Sequence, residues 1–142
     1  MTTAYETDIV VWAKEQAEFI RTGQFDRLDI THISEEIEDV GKSERRELYN
    51  GLSELMMELL KWQFQSNARC AGWQATITKQ RYRLERLLRD APSLKTELED
   101  EIKEEWRGAV LAAVADTGFA ESRFPAQCPW SVAQVLGDWL PK

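Results

Sequence analysis

The sequence predicts an all-α protein: a single-domain bundle of about five helices over residues 1–142, with a long antiparallel hairpin between the third and fourth helices and a proline-containing C-terminal tail with one short helix. Three observations carry this. Apolar residues recur at helical spacing through most of the chain. No segment alternates apolar and polar residues over a useful length, so strands have no signal. A chain of 142 residues, 43% of them hydrophobic and six of them tryptophan, supports one core. At that length roughly two-thirds of the unfolded surface is buried without help from metal or disulfide.

The first helix is expected to follow Asp8, with Ile9, Ala13, Ala17 and Ile20 on one face and Trp12 beside them. Gly23 is placed to end it, because glycine enters the left-handed region at low cost. The second helix is expected to start at Asp29, whose carboxylate can accept an N-terminal amide. Ile30, Ile33, Ile37 and Val40 form its expected buried stripe, Gly41 closes or kinks it, and Glu35, Glu38 and Asp39 point outward.

Leu48, Leu52, Leu55, Leu59 and Trp62 step by 4, 3, 4, 3 along the third helix. Trp73, Ile77, Gln80, Leu84 and Leu87 repeat those steps along the fourth. This repeat produces a seam suited to shallow packing, at roughly +20°, between helices. The short break at Ser66-Asn67 makes the pair antiparallel and brings Trp62 and Trp73 together near the turn. Pro92 ends the fourth helix, and Ser93 is a reasonable cap for a fifth, whose face is Leu98, Ile102, Trp106, Ala109, Val110 and Ala113. Gly118 stands at its end. Ser131 and Gln134 form a capping box for one short helix in the tail, stapled by Trp130 and Val135.

Charge and cysteine usage narrow the function. The net charge is −7, yet it is uneven: residues 61–90 hold 7 basic and 2 acidic side chains. An acidic whole disfavours nonspecific nucleic-acid binding, which needs cations to displace counterions from phosphate. Cys70 and Cys128 match no metal spacing and read as reduced thiols of a cytoplasmic protein. No apolar run reaches the roughly 20 residues of a membrane span, and no secretion signal is visible.

Several stretches carry a family resemblance: Tyr5 to Trp12, Leu28-Asp-Ile-Thr-His-Ile-Ser-Glu-Glu-Ile-Glu38 with Gly41, Leu59-Leu-Lys-Trp-Gln63, and Trp73-Gln-Ala-Thr-Ile-Thr-Lys-Gln-Arg81. With Pro92-Ser-Leu94 and Phe124-Pro-Ala-Gln-Cys-Pro129, they make the chain resemble the bacterial domain-of-unknown-function family 29 over nearly its whole length. The resemblance implies a helical fold and no assigned activity. Glu58 departs from the pattern, standing where the family often has histidine, so no role of that histidine carries over.

Candidate sites are few. Glu36 lies at the edge of the second helix's stripe and can anchor an arginine from another helix, for instance Arg81. Gln80, in the middle of the fourth helix's seam, needs hydrogen-bond partners if buried. A dimetal bundle takes several inward carboxylates and two Glu-x-x-His units. Here Asp29-x-x-His32 is a lone half-match around the sole histidine, so neither metal nor cofactor is expected. Gly51 and Gly108 inside helices suggest close helix approach beside a tryptophan. Lys79, Tyr82, Arg83, Arg86 and Arg89 form a basic ridge facing away from the seam. It can meet an acidic protein partner, stack and pair with nucleic acid, or pair internally with Glu97, Glu101 and Glu104. The expected function is a noncatalytic protein-interaction or regulatory domain, binding itself or another protein. The alternatives are a nucleic-acid-associated factor using the ridge, and an enzyme of unrecognised type using Glu36 or Glu58 with Arg81.

Overall fold

The computed structural model describes residues 3–142. Its α-helices are α1 (Ile9–Arg21), α2 (Ile30–Phe64), α3 (Ala71–Asp90), α4 (Leu98–Thr117) and α5 (Val132–Leu136), and the described residues contain no strand. Short 3-10 turns occupy Phe25–Arg27, Ser66–Ala68, Pro92–Glu97 and Glu121–Arg123. The chain forms two compact units, residues 1–43 and 44–142, and α2 contributes to both.

The expected second and third helices are one continuous helix of 35 residues. Gly41 does not close it: the helix runs unbroken from Ile30 to Phe64, and Gly41 lacks positive φ. An interior glycine costs about 1 kcal/mol relative to alanine. The Lys42-Ser-Glu-Arg-Arg-Glu-Leu48 run that follows is composed largely of good helix formers, so the helix continues.

In the first unit, Asp8 caps α1 by accepting from the backbone N–H groups of Val10 and Val11, both at 3.1 Å. Gly23, at φ 75°, follows the helix end. Trp12, Gln16 and Phe19 are the buried face of α1. The buried faces differ from the stripes expected from the apolar spacing. Ile9, Ala13 and Ile20 are exposed on α1, as are Ile30, Ile37 and Val40 on α2, while Ala17 and Ile33 are half-buried.

The second unit holds the main core. Leu48, Leu52, Leu55, Met56, Leu59 and Leu60 of α2 are fully buried with Ile77, Leu84 and Leu87 of α3 and Ile102, Trp106 and Ala109 of α4. Gly51 faces Leu84, and Trp62 meets Trp73 edge-on at 5.5 Å, so α2 and α3 run antiparallel. A β-carbon on Gly51 would stand 2.6 Å from Leu84 Cδ2, whereas one on Gly108 would make only an ordinary contact with Ser53 at 3.8 Å. Close approach therefore occurs at Gly51, against a leucine rather than a tryptophan. Ion pairs from Arg45 to Glu97, just before α4 (3.2 Å), and from Lys61 to Asp116 near its end (3.0 Å) accompany the parallel course of α2 and α4.

Ser93 does not cap α4. Pro92–Glu97 forms a 3-10 turn, and α4 begins at Leu98 without a side-chain cap. Three acidic residues in its first turn, Glu99, Asp100 and Glu101, favour the positive end of the helix dipole instead. Gly118 ends α4 at φ 74°, donating to Val114. The Ser131–Gln134 capping box is formed in both directions, at 2.9 and 3.1 Å.

Candidate functional site

The first unit is organised around a polar and aromatic cluster. Asp29, just before α2, and His32 and Glu36 in it are spaced i, i+3 and i+7 and share one side. Asp29 Oδ2 accepts from the Trp12 indole at 3.1 Å and lies 2.7 Å from His32 Nδ1. Glu6 meets His32 Nε2 at 3.2 Å, so both imidazole nitrogens face carboxylates. Tyr5 stacks on His32 with centroids 4.1 Å apart and donates its hydroxyl to Glu36 at 2.5 Å. Gln16, buried on α1, accepts from the Asp29 backbone N–H at 2.7 Å.

The electrostatics follow from these bonds. The hydrogen bond to Asp29 raises the His32 pKa, and the same bond lowers that of Asp29. Tyr5 is pushed up to about 12, because its proton is held by Glu36 and its anion would sit beside that carboxylate. The expected Glu36–Arg81 ion pair is replaced at Glu36 by this Tyr5 hydroxyl. Sequence reasoning missed the cluster, although its signal was present: three polar residues at helical spacing opposite an early tyrosine and tryptophan.

Building that face inward turns the neighbouring isoleucines out, because Ile30 lies about 100° round the helix from Asp29. Among the described residues, ten large apolar side chains are exposed, and eight belong to the first unit: Ile9, Val10, Val11, Ile20, Phe25, Ile30, Ile37 and Val40. Ile30, Val10, Ile37 and Val40 are each 65–73% exposed. Isolated surface apolar residues need no explanation, whereas here most of the exposed large ones fall within a single unit. Residues 1–43 also carry 10 acidic and 4 basic side chains.

The second unit places the remaining candidates. Lys79, Tyr82, Arg83, Arg86 and Arg89 are exposed on α3. Arg89 pairs at 3.6 Å with Glu85 on its own helix, while Glu97 is engaged by Arg45. Gln80 is half-buried and donates to Glu54 of α2 at 3.0 Å. Arg81 donates to three backbone carbonyls, Val135 at 2.9 Å, Gln134 at 3.0 Å and Trp139 at 2.7 Å. It thereby satisfies the carbonyl end of α5 and fastens the tail to α3. Burial holds its pKa below the ordinary arginine value.

At the α2–α3 turn, Trp73 donates to Glu58 at 2.6 Å, and Arg69 donates to the Trp62 carbonyl at 2.7 Å while covering the Trp62 ring at 5.1 Å. Trp62 is buried and Trp73 half-buried. Cys70 is exposed and Cys128 half-buried; both are free thiols.

An all-α protein, with five α-helices among its described residues, is the class these features define. The family described as domain of unknown function DUF29 matches residues 4–140, and the chain belongs to that family. The chain is also similar to a crystal structure from Rhodospirillum rubrum described as an alpha-helical protein of unknown function. That likeness has 27% sequence identity and a TM-score of 0.57, covering 96% of this chain and 90% of the other. No curated protein matches the chain. No helix among the described residues is long and apolar enough to cross a membrane.

Proposed function

We propose that this protein is a noncatalytic interaction domain whose N-terminal unit docks an amphipathic helix with a cationic rim. The observation that carries this is the concentration of exposed apolar side chains within residues 9–40. Ile30, Ile33, Ile37 and Val40 step by 3, 4, 3, the spacing of a helix-packing seam. The ten carboxylates of residues 1–43 choose the partner's charge. They favour a basic rim and oppose a second copy of the same acidic surface, because like charges brought together cost affinity.

The groups able to do acid–base work support a binding role rather than catalysis. His32 and Asp29 hold each other, Glu36 holds the Tyr5 hydroxyl, and Glu58 holds the Trp73 indole.

Fluorescence anisotropy tests the reading with labelled helical peptides built from Leu/Lys heptads. Two controls have Leu replaced by Ser and Lys replaced by Glu. Saturable binding of the Leu/Lys peptide alone is expected. Equal binding of the Ser/Lys control would reduce the effect to bulk charge and overturn the reading. Light scattering across concentrations tests the self-pairing alternative, and a labelled DNA duplex tests the α3 ridge as a nucleic-acid surface.

A further inference from the structure

A cleft of about 300 Å³ lies between α3, the Pro92–Glu97 turn and α5, lined by Arg81, Glu85, Leu88, Arg89, Lys95 and Leu136. We infer that this cleft holds the anionic head of a small ligand, a carboxylate or phosphate carrying a short apolar portion. Three cations and one carboxylate line it, an excess of positive charge in a chain of net charge −7. Glu85 is already engaged by Arg89.

Arg81 is the built part of the site. Its Nε and Nη2 are committed to carbonyls of Gln134, Val135 and Trp139, which fix the guanidinium plane. Its Nη1 has no hydrogen-bond partner among the described residues, and no carboxylate lies within ion-pair distance of the guanidinium. The nearest opposing influence is the charge of Asp138, which lines the neighbouring cleft. With Nε and Nη2 committed to the carbonyls, the half-buried guanidinium offers an oxyanion its single remaining nitrogen, Nη1, and a positive charge held in place. Arg89 and Lys95 are exposed on the rim; Arg89 shares its charge with Glu85, and Lys95 supplies the mobile positive charge. Leu88 and Leu136 provide the apolar wall. The volume lies at the small end of ligand sites, which excludes a dinucleotide and suits a short aliphatic acid or a phosphate monoester.

The test is an NMR titration of the Arg81 Nε–H and the Leu88 and Leu136 methyls at constant ionic strength. Inorganic phosphate and hexanoate are separate probes, with chloride and hexylammonium as controls. Saturable shifts are expected from one or both anions with Kd on the order of 1 mM or tighter. Saturation by phosphate alone assigns a phosphate head, and saturation by hexanoate assigns a carboxylate with an apolar tail. The double variant R89Q/K95Q keeps Arg81 and its carbonyl bonds and changes only exposed side chains. It should weaken binding by about ten-fold or more. No saturable shift from either anion, equal shifts from chloride, or undiminished affinity in the double variant would each overturn the assignment. Backbone spectra of the variant confirm that it remains folded.

Discussion

The Trp73 indole donates to Glu58 Oε2 at 2.6 Å, joining α3 to α2 beside the edge-on contact between Trp73 and Trp62. The turn at residues 65–70 is thus held by the Trp73–Glu58 hydrogen bond and the aromatic pair, together with Arg69 on the Trp62 carbonyl and ring. Glu58→Leu leaves the indole N–H without its acceptor and should cost about 1–3 kcal/mol. Glu58→Gln keeps an acceptor and should cost less than half as much. Chemical denaturation of the two variants checks this, and equal losses would show that the bond contributes nothing beyond packing.

Two glycines of α2 should respond in opposite directions. A β-carbon at Gly41 meets nothing within 4 Å, and Gly41 lacks positive φ. Gly41→Ala should therefore stabilise the protein by about 0.5–1 kcal/mol. Gly51→Ala drives a β-carbon to 2.6 Å from Leu84, which is buried and has little room to move. Overpacking of that kind costs about 1–3 kcal/mol, more than the helix-propensity gain. Thermal melts of both decide the matter. A destabilised Gly41→Ala would mean that α2 is not continuous through that position.

His32 should titrate above the ordinary histidine value of about 6.5. Stability from a raised histidine pKa is fully present below the unfolded value and is lost as pH rises through the folded one. Stability from the lowered Asp29 pKa is present above the unfolded carboxylate value and is lost as pH falls through the folded one. The N-terminal unit should therefore be best protected between about pH 4 and pH 6.5. An NMR titration of the His32 ring, repeated in Asp29→Asn, checks the cause. The midpoint should fall in the variant, and an unchanged midpoint would remove Asp29 as its source.

Arg81→Lys should loosen the tail. A lysine ammonium cannot reproduce the fork that reaches Gln134, Val135 and Trp139 together. Faster hydrogen exchange is expected at α5, with α2 and α3 unchanged. Uniform acceleration through the second unit would show that Arg81 supports the whole core.

Much of the fold was legible because packing and pattern agree in the second unit. The steps from Leu48 to Trp62 and from Trp73 to Leu87 predict the α2–α3 hairpin, and the Ser131–Gln134 pair predicts α5. The first unit was read inside out. Ile30, Ile37 and Val40 form the stronger apolar stripe, but Trp12 and Tyr5 find hydrogen-bond acceptors only on the Asp29–His32–Glu36 face. An indole N–H is costly to bury without a partner, and the Asp29 carboxylate on that face supplies one for Trp12. The Arg81 clamp was invisible for another reason. Its acceptors are backbone carbonyls more than fifty residues away, and no side-chain pattern reports them.

The most direct measurement is the affinity of the Leu/Lys heptad peptide for the protein and for its Ile30→Ser/Ile37→Ser variant, taken together with their melting temperatures. Both side chains are about two-thirds exposed, at 65% and 67%, so their loss should leave folding nearly unchanged. If they anchor the partner helix, each contributes about 1.5–3 kcal/mol on burial, and affinity should fall on the order of 100-fold or more. Undiminished affinity in a folded variant would contradict docking on this face, and a collapse of the melting temperature would show that the isoleucines hold the protein itself together.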